Sequence, residues 1–221
     1  MSNYSHHTYI PAPPRQEPDA MSQALDLAMK KHPAQGRSQA TVVAVVEATA
    51  QLLAEQGYAR LTTNHIAERA GVSIGSLYQY FPGKEAIVAQ VAEKLVNDVL
   101  ADFGAGLLGL PVDSRRLATV IYDAIDRRAA LLRCLSYEVP FVQDLPAVIS
   151  LRDRTLMLAG QIYVSTTWTR PFALPHVATF MLTAMLRAAV LESILTPLPG
   201  VTREQAVDTL ADIIARISGL P

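Results

Sequence analysis

Residues 58–86 read YARLTTNHIAERAGVSIGSLYQYFPGKEA, and packing alone does not explain that choice of residues. Thr63 is of a type that caps a helix at its amino end, and Ile66 and Ala70 give a short helix from Thr63 to Ala70 its buried face. Gly71 follows where the helix must end in left-handed backbone, which glycine reaches without steric cost. Val72 plugs the corner, Ser73 can cap a second short helix, and Leu77 and Tyr80 pack it back. Ala67 is small, as needed where two helices cross at close range. A small residue, a glycine turn, then Val and Leu at this spacing is the helix-turn-helix arrangement, whose second helix lies in a DNA major groove. The competing reading is an αα-corner in an ordinary helical bundle.

Two periodic runs flank this segment. QATVVAVVEATAQLLAEQGY, from Gln39, sets Val42, Val46, Thr49 and Leu53 on one face, widened by Val45 and Leu52, and Gly57 follows as a stop. KEAIVAQVAEKLVNDVLADF places Ile87 or Val88, Val91, Leu95 and Val99 in register. Prolines divide the rest, since a proline breaks a helix interior. Beyond Pro111 the chain reads as helices at about 113–137, 145–167, 176–196 and 202–218. Residues 163–169 (YVSTTWT) have strand-like types without a partner run and read as a helix end or loop. Residues 1–18 read as a flexible arm, and Met21, Leu25 and Met29 suggest a short amphipathic helix over 19–31, ended by Pro33 and Gly36. The expected architecture is all-α: a three-helix module at 37–84, joined through a long fourth helix to a helical domain over 85–221.

Composition narrows the function classes. Half of the 221 residues are hydrophobic and 18% are charged, against roughly 25% in ordinary soluble domains. The longest run without Asp, Glu, Lys or Arg is Pro171–Leu186, 16 residues interrupted by prolines and His176. A spanning helix needs about 20 apolar residues, so no membrane segment is expected. The first residues lack a basic and an apolar secretory region, which points to the cytoplasm. A single cysteine, Cys134, precludes an internal disulfide, and the net charge of −1 excludes polyanion binding by the whole surface.

The segment resembles the TetR family of bacterial transcriptional regulators over about residues 37–95. The matching positions are Thr62-Thr63, Ile66-Ala67, Ala70-Gly71-Val72-Ser73, Gly75, Leu77-Tyr78, Tyr80-Phe81 and Lys84. Tyr80 stands where the family commonly has His beside Phe; its hydroxyl still suits a phosphate. The resemblance implies an amino-terminal DNA-binding module on a larger helical domain that dimerises and binds a small ligand, most members being repressors released by that ligand. The C-terminal 120-odd residues show no specific motif of their own.

Phosphate contacts fix register on a duplex, and the candidates are Thr63, Tyr78, Tyr80 and Lys84, the last at a helix amino end whose dipole favours an anion. Lys84→Ala is expected to weaken binding to every sequence alike and to flatten the salt dependence by roughly one unit of slope. Base edges fall to Ser73, Ile74, Gly75, Ser76 and Gln79. None is Arg, Lys or Asn, so bidentate reading of guanine from this helix is not available; Ile74 can meet a thymine methyl and Gly75 admits close backbone approach. Asn64 is either a base or phosphate contact or a solvated neighbour of the cap. Between Lys30 and Lys84 six basic residues (Lys30, Lys31, Arg37, Arg60, Arg69, Lys84) face three acidic ones (Glu47, Glu55, Glu68), a local excess that places DNA here and adds Arg37 to the set.

Other patterns carry less. Gly104-Ala-Gly106-Leu-Leu-Gly109 fits a dinucleotide fingerprint by letter, but a helix tail precedes it and Pro111 follows, so it reads as a flexible joint between domains. The five histidines show no metal-ligand spacing, no metal or other cofactor is expected, and Cys134 is either a redox-sensitive thiol beside Arg133 or a small buried apolar residue. No catalytic constellation stands out, so an enzyme is not expected. The run His176–Leu195 is apolar around most of its circumference and, with Gln205–Leu220, suits the family's last two helices, which form a four-helix bundle with a second copy. Two-fold symmetry then spaces the recognition helices about 34 Å apart on a palindromic operator. Tyr137, Phe141, Met157, Tyr163, Trp168, Phe180, Met181 and Met185 are candidate walls of a pocket for a small apolar inducer, or plain core. The alternatives to a DNA-binding repressor are a helical small-molecule-binding protein and an all-α enzyme.

Overall fold

In the chain, α1 spans Gly36–Gln56 and buries Val45, Val46, Thr49, Leu52 and Leu53. It stops at Gly57, whose φ of 79° is left-handed and whose N–H reaches Leu53 O at 3.1 Å. The structure is a computed structural model that describes residues 25–31, 36–107, 112–165, 172–218 and 220. Every regular element among them is helical. α2 is Thr63–Ala70, α3 is Ile74–Tyr80, and α4 runs Lys84–Leu107. Ile66, Leu77, Phe81 and Ile87 are fully buried where these four helices meet, each contributing about 1.5–3 kcal/mol of apolar burial.

The remaining helices are α5 (Ser114–Asp126), α6 (Ala129–Glu138), a 3₁₀ turn at Val142–Asp144, α7 (Pro146–Ser165), α8 (Pro175–Leu195) and α9 (Arg203–Ser218). Asp113 caps α5 by accepting from Arg116 N at 2.7 Å. α9 lies along α5, and α4 touches α1, α5 and α7. Two apolar clusters result. One joins α1–α4 to Cys134, Leu135, Val139 and Phe141; the other joins α5 to Val190, Ile194, Val207, Leu210 and Ile214. Val99 and Leu132 pack against both, so the core is continuous across residue 85.

Four expectations change. The single helix expected over 113–137 is two, broken at Arg127–Arg128 without proline or glycine. Both arginines pair with Asp102 of α4, while Arg127 Nε and Arg128 donate to the carbonyls of Asp123 and Ala124, finishing α5 by side-chain capping. The amphipathic helix expected over 19–31 is absent from its described part: residues 25–31 are irregular, and Met21 lies outside the described residues. Gly104 and Gly106 are not in a flexible joint but in the last turns of α4, where Gly106 lets α5 approach; an added Cβ would lie 2.7 Å from Val120. Gly109 lies outside the described residues. Finally, α8 is long and apolar enough to cross a membrane by length and composition, even with Arg187 and Glu192 in it, so the exclusion drawn from charge-free runs was too strict.

Candidate nucleic-acid interface and ligand cavity

The turn between α2 and α3 is built by its caps. Thr62, one residue before the expected Thr63, is the N-cap: its backbone is extended and its Oγ1 accepts from His65 N at 3.2 Å. Gly71 closes α2 at φ 66°, and the Val72 N–H reaches Ala67 O at 3.0 Å. Ser73 then caps α3 by accepting from Ser76 N at 3.1 Å, its hydroxyl also 2.8 Å from that of Ser76. Leu77 is the buried anchor of α3, which leaves Ile74, Gly75, Tyr78 and Gln79 exposed on its outer face.

This places the expected DNA-facing residues in three groups. Ile74, Gly75 and Gln79 stand outward beside Asn64 at the start of α2, and nothing but Ser73 Oγ at 3.9 Å lies near the Gly75 α-carbon face. Thr63 and Tyr78 share a hydroxyl contact at 3.1 Å that ties the start of α2 to the middle of α3, and Arg37 is exposed in the first turn of α1. Ser73 and Ser76 are engaged in the cap, and Tyr80 and Lys84 are half-buried. Lys84 Nζ donates to Leu61 O at 3.2 Å and sits 4.3 Å from the centre of the Tyr58 ring, so it braces the approach to α2. Arg69 is held by Glu55 in a two-pronged pair at 3.1 and 2.9 Å. That pair removes one charge of each sign, and the local positive excess is unchanged.

Tyr58 ties the module to α6 and the turn that follows it. Its ring meets Phe141 edge-on at 6.2 Å, its hydroxyl donates to Glu85 at 3.3 Å, and its N–H donates to Glu138 Oε2 at 2.8 Å. Burial, then the neighbouring Glu85 charge, pushes the phenol up to about 12. Burial, followed by the Glu138 charge, likewise pushes the Cys134 thiol up to about 11. Cys134 is therefore the buried apolar residue of the two readings, not an activated thiol.

Above the module lies a cavity of about 300 Å³. Leu95, Val99 and Phe103 of α4, Leu117 and Ile121 of α5, Leu132, Leu135 and Ser136 of α6, and faces of α7, α8 and α9 enclose it. Thr155, Thr179, Thr183 and Tyr163 supply polar atoms, and Arg187 is the one charged side chain among the described lining residues. Of the seven candidate walls among the described residues, Tyr163 alone lines it. Phe141 is buried against Tyr58 instead, and Trp168 lies outside the described residues. Tyr137 (63% exposed), Met157 (69%), Phe180 (47%), Met181 (56%) and Met185 (55%) face outward. Choosing Met and aromatic residues selected the outer stripes of α7 and α8. The signal that would have found the cavity is the four-residue spacing of Leu95, Val99 and Phe103, which carries the apolar face of α4 past the module it closes.

Residues 45–91 match the family model described as bacterial regulatory proteins, TetR family. The match falls on the amino-terminal unit. Around it, the chain is 33% identical over 86 residues to the transcriptional repressor KstR2 of Rhodococcus jostii, covering 37% of this chain and 42% of that one. It is 34% identical over 121 residues to the uncharacterized HTH-type transcriptional regulator Rv0767c of Mycobacterium tuberculosis, covering 53% and 55%. The chain spans about half the length of the curated relatives it matches. A crystal structure of a TetR-family regulator from Mesorhizobium loti superposes with a TM-score of 0.63 at 17% identity, covering 83% of this chain and 98% of that one. The fold is therefore shared with that regulator: an amino-terminal helix-turn-helix unit followed by a helical domain. Among the described residues no three His, Cys, Asp or Glu gather as a metal site.

Proposed function

We propose that the chain is a sequence-specific DNA-binding transcriptional regulator, acting in the cytoplasm as a homodimeric repressor that a small, largely apolar ligand releases from a palindromic operator. The observation that carries this is the outer face of α3: Ile74, Gly75 and Gln79 are exposed on a frame capped by Thr62 and Ser73 and anchored by buried Leu77. With no Arg, Lys or Asn on that face, readout favours thymine methyls and single hydrogen bonds over guanine pairs. The relatives named as regulators support the same reading. The cavity above supplies the ligand site, its walls almost wholly aliphatic with Arg187 alone to meet an anionic group. The outward stripe of Val177, Phe180, Met181 and Met185 on α8, with Ile213 and Ile217 on α9, suits pairing with a second copy through the last two helices.

The test is to pass fragmented genomic DNA over the immobilised chain, sequence what is retained at moderate salt, and measure its affinity for the purified protein. A two-fold-symmetric site is expected, with half-sites about one helical turn apart, and Ile74→Ala/Gln79→Ala should lose preference for it over mixed sequence. Retention of no preferred sequence, together with saturable uptake of a small apolar ligand, would replace this reading by that of a helical small-molecule-binding protein.

A further inference from the structure

Residues 25–31 lie beside the recognition helix in irregular backbone, in place of the helix expected there. Leu27 and Met29 are half-buried against the core of the module. The Lys30 N–H donates to Tyr80 O at 2.8 Å, and Lys30 Nζ to Tyr78 O at 3.4 Å. Both acceptors are carbonyls in the last turn of α3, the negative end of its dipole, where a cation is favoured. Asp26 is exposed and accepts from Ala28 N at 3.3 Å within the strap, and with exposed Lys30 and Lys31 the strap is net positive. We infer that residues 25–31 form a docked strap that adds Lys30 and Lys31 to the DNA-binding surface, as contacts to backbone phosphates at the carboxyl-terminal end of the recognition helix.

The placement follows from lengths. α3 rises about 1.5 Å per residue, so Tyr80 lies about 10 Å from the Ser73 cap where base contacts begin. Phosphates follow one another every 3.4 Å of axis along a strand, so the strap meets backbone about three steps beyond the bases read by Ile74 and Gly75. Tyr78, whose carbonyl holds Lys30 Nζ, is itself exposed and bonded to Thr63 at the start of α2, which sets the lysine on the rim of the same face. An ammonium there also offsets the α3 carbonyls that would otherwise repel a phosphate. The strap thus supplies positive charge that the recognition helix lacks, since α3 contains neither Lys nor Arg.

This rests on the DNA reading above, and the experiment separates the two. Binding of the full chain to a 40-base-pair duplex of mixed sequence is measured between about 50 and 200 mM salt for the wild type, Lys30→Gln/Lys31→Gln, and Lys94→Gln as a control that removes one charge on α4. Each phosphate contact contributes about 0.9 to the slope of log affinity against log salt, so the double variant should lose about 1.8. The wild type should therefore weaken about 12-fold more than the double variant over that range, while Lys94→Gln keeps the wild-type slope. A loss below one unit in the double variant, with the wild type still binding, overturns the strap and leaves the regulator reading intact. A wild type that binds no duplex at 50 mM salt overturns both. Leu27→Ser/Met29→Ser, which keeps every charge but removes the anchors, should weaken binding at least threefold; unchanged binding would also overturn the docked strap.

Discussion

Gly57→Ala tests the joint between the module and the helices above it. The residue sits at φ 79°, where an alanine costs about 1–2 kcal/mol. Its Cβ would also lie 2.5 Å from Glu138 Oε2, so the carboxylate must leave and the Tyr58 N–H···Oε2 bond of 2.8 Å is lost, about 1 kcal/mol more for an exposed bond. The single variant should therefore lose about 2–3 kcal/mol, lowering the melting temperature by roughly 5–10 °C in a chain of this length. Glu138→Ala alone loses only the bond. In the double variant the bond is counted once, so it should be about 1 kcal/mol more stable than the sum of the single effects. Urea unfolding of the four proteins measures that difference. Strict additivity would show that Gly57 answers only to its own backbone and that Glu138 does not hold the module.

Gly106→Ala gains about 1 kcal/mol of helix propensity but drives a methyl to 2.7 Å from Val120, an overpacking cost of about 1–3 kcal/mol; net destabilisation by urea titration, relieved by Val120→Ala, is expected. Thr62→Ala should cost about 1 kcal/mol of stability and speed exchange of the His65 N–H, whereas Thr63→Ala, which loses its hydroxyl contact with Tyr78, should leave that N–H protected; equal exchange in both would refute the cap at 62. Cys134 should react with a thiol reagent at pH 8 about 100-fold more slowly than a free thiol near 9. The thiol near 11 is that much less ionised before burial slows access further, and the rate should climb as pH rises towards 11. A free-thiol rate at pH 8 would contradict the buried reading.

What the sequence disclosed and what it hid divide along a physical line. Signals set by local geometry were legible: Gly57, Gly71 and Ser73 mark their caps because the backbone there admits few residues, and the Val, Leu and Ile stripes of α1 and α4 mark the core through periodicity. The break at Arg127–Arg128 was not legible, because Asp102, in a different helix, helps to make it. The cap at Thr62 and not Thr63 depends on one extended backbone pair that either threonine can adopt. The cavity walls were missed because Leu and Ile at core spacing are identical in sequence whether they meet another side chain or empty space. Lys30 was counted in the positive patch, but its docking on α3 was hidden for a related reason: its partners are main-chain carbonyls 48 and 50 residues away, which no local pattern encodes.

Magnitudes also decide which part of the joint can carry a switch of the proposed kind. Moving a two-state equilibrium from 1:99 to 99:1 takes about 5.5 kcal/mol of differential affinity. The Glu138–Tyr58 bond, at about 1 kcal/mol, can bias operator affinity about fivefold and no more. A ligand that buries about 200 Å² of apolar surface in one state and not the other supplies about 5 kcal/mol. That surface must then lie on elements shared by cavity and module. Leu95 of α4, Leu135 of α6 and Val142 of the turn after it are such elements: each lines the cavity and each is buried in the core that holds α1–α3. Close-packed residues of this kind shift together or not at all. A ligand of the proposed kind would therefore act through the α4–α6 core, and on that proposal a Glu138→Ala protein should keep most of its response to ligand while Leu135→Ala loses it.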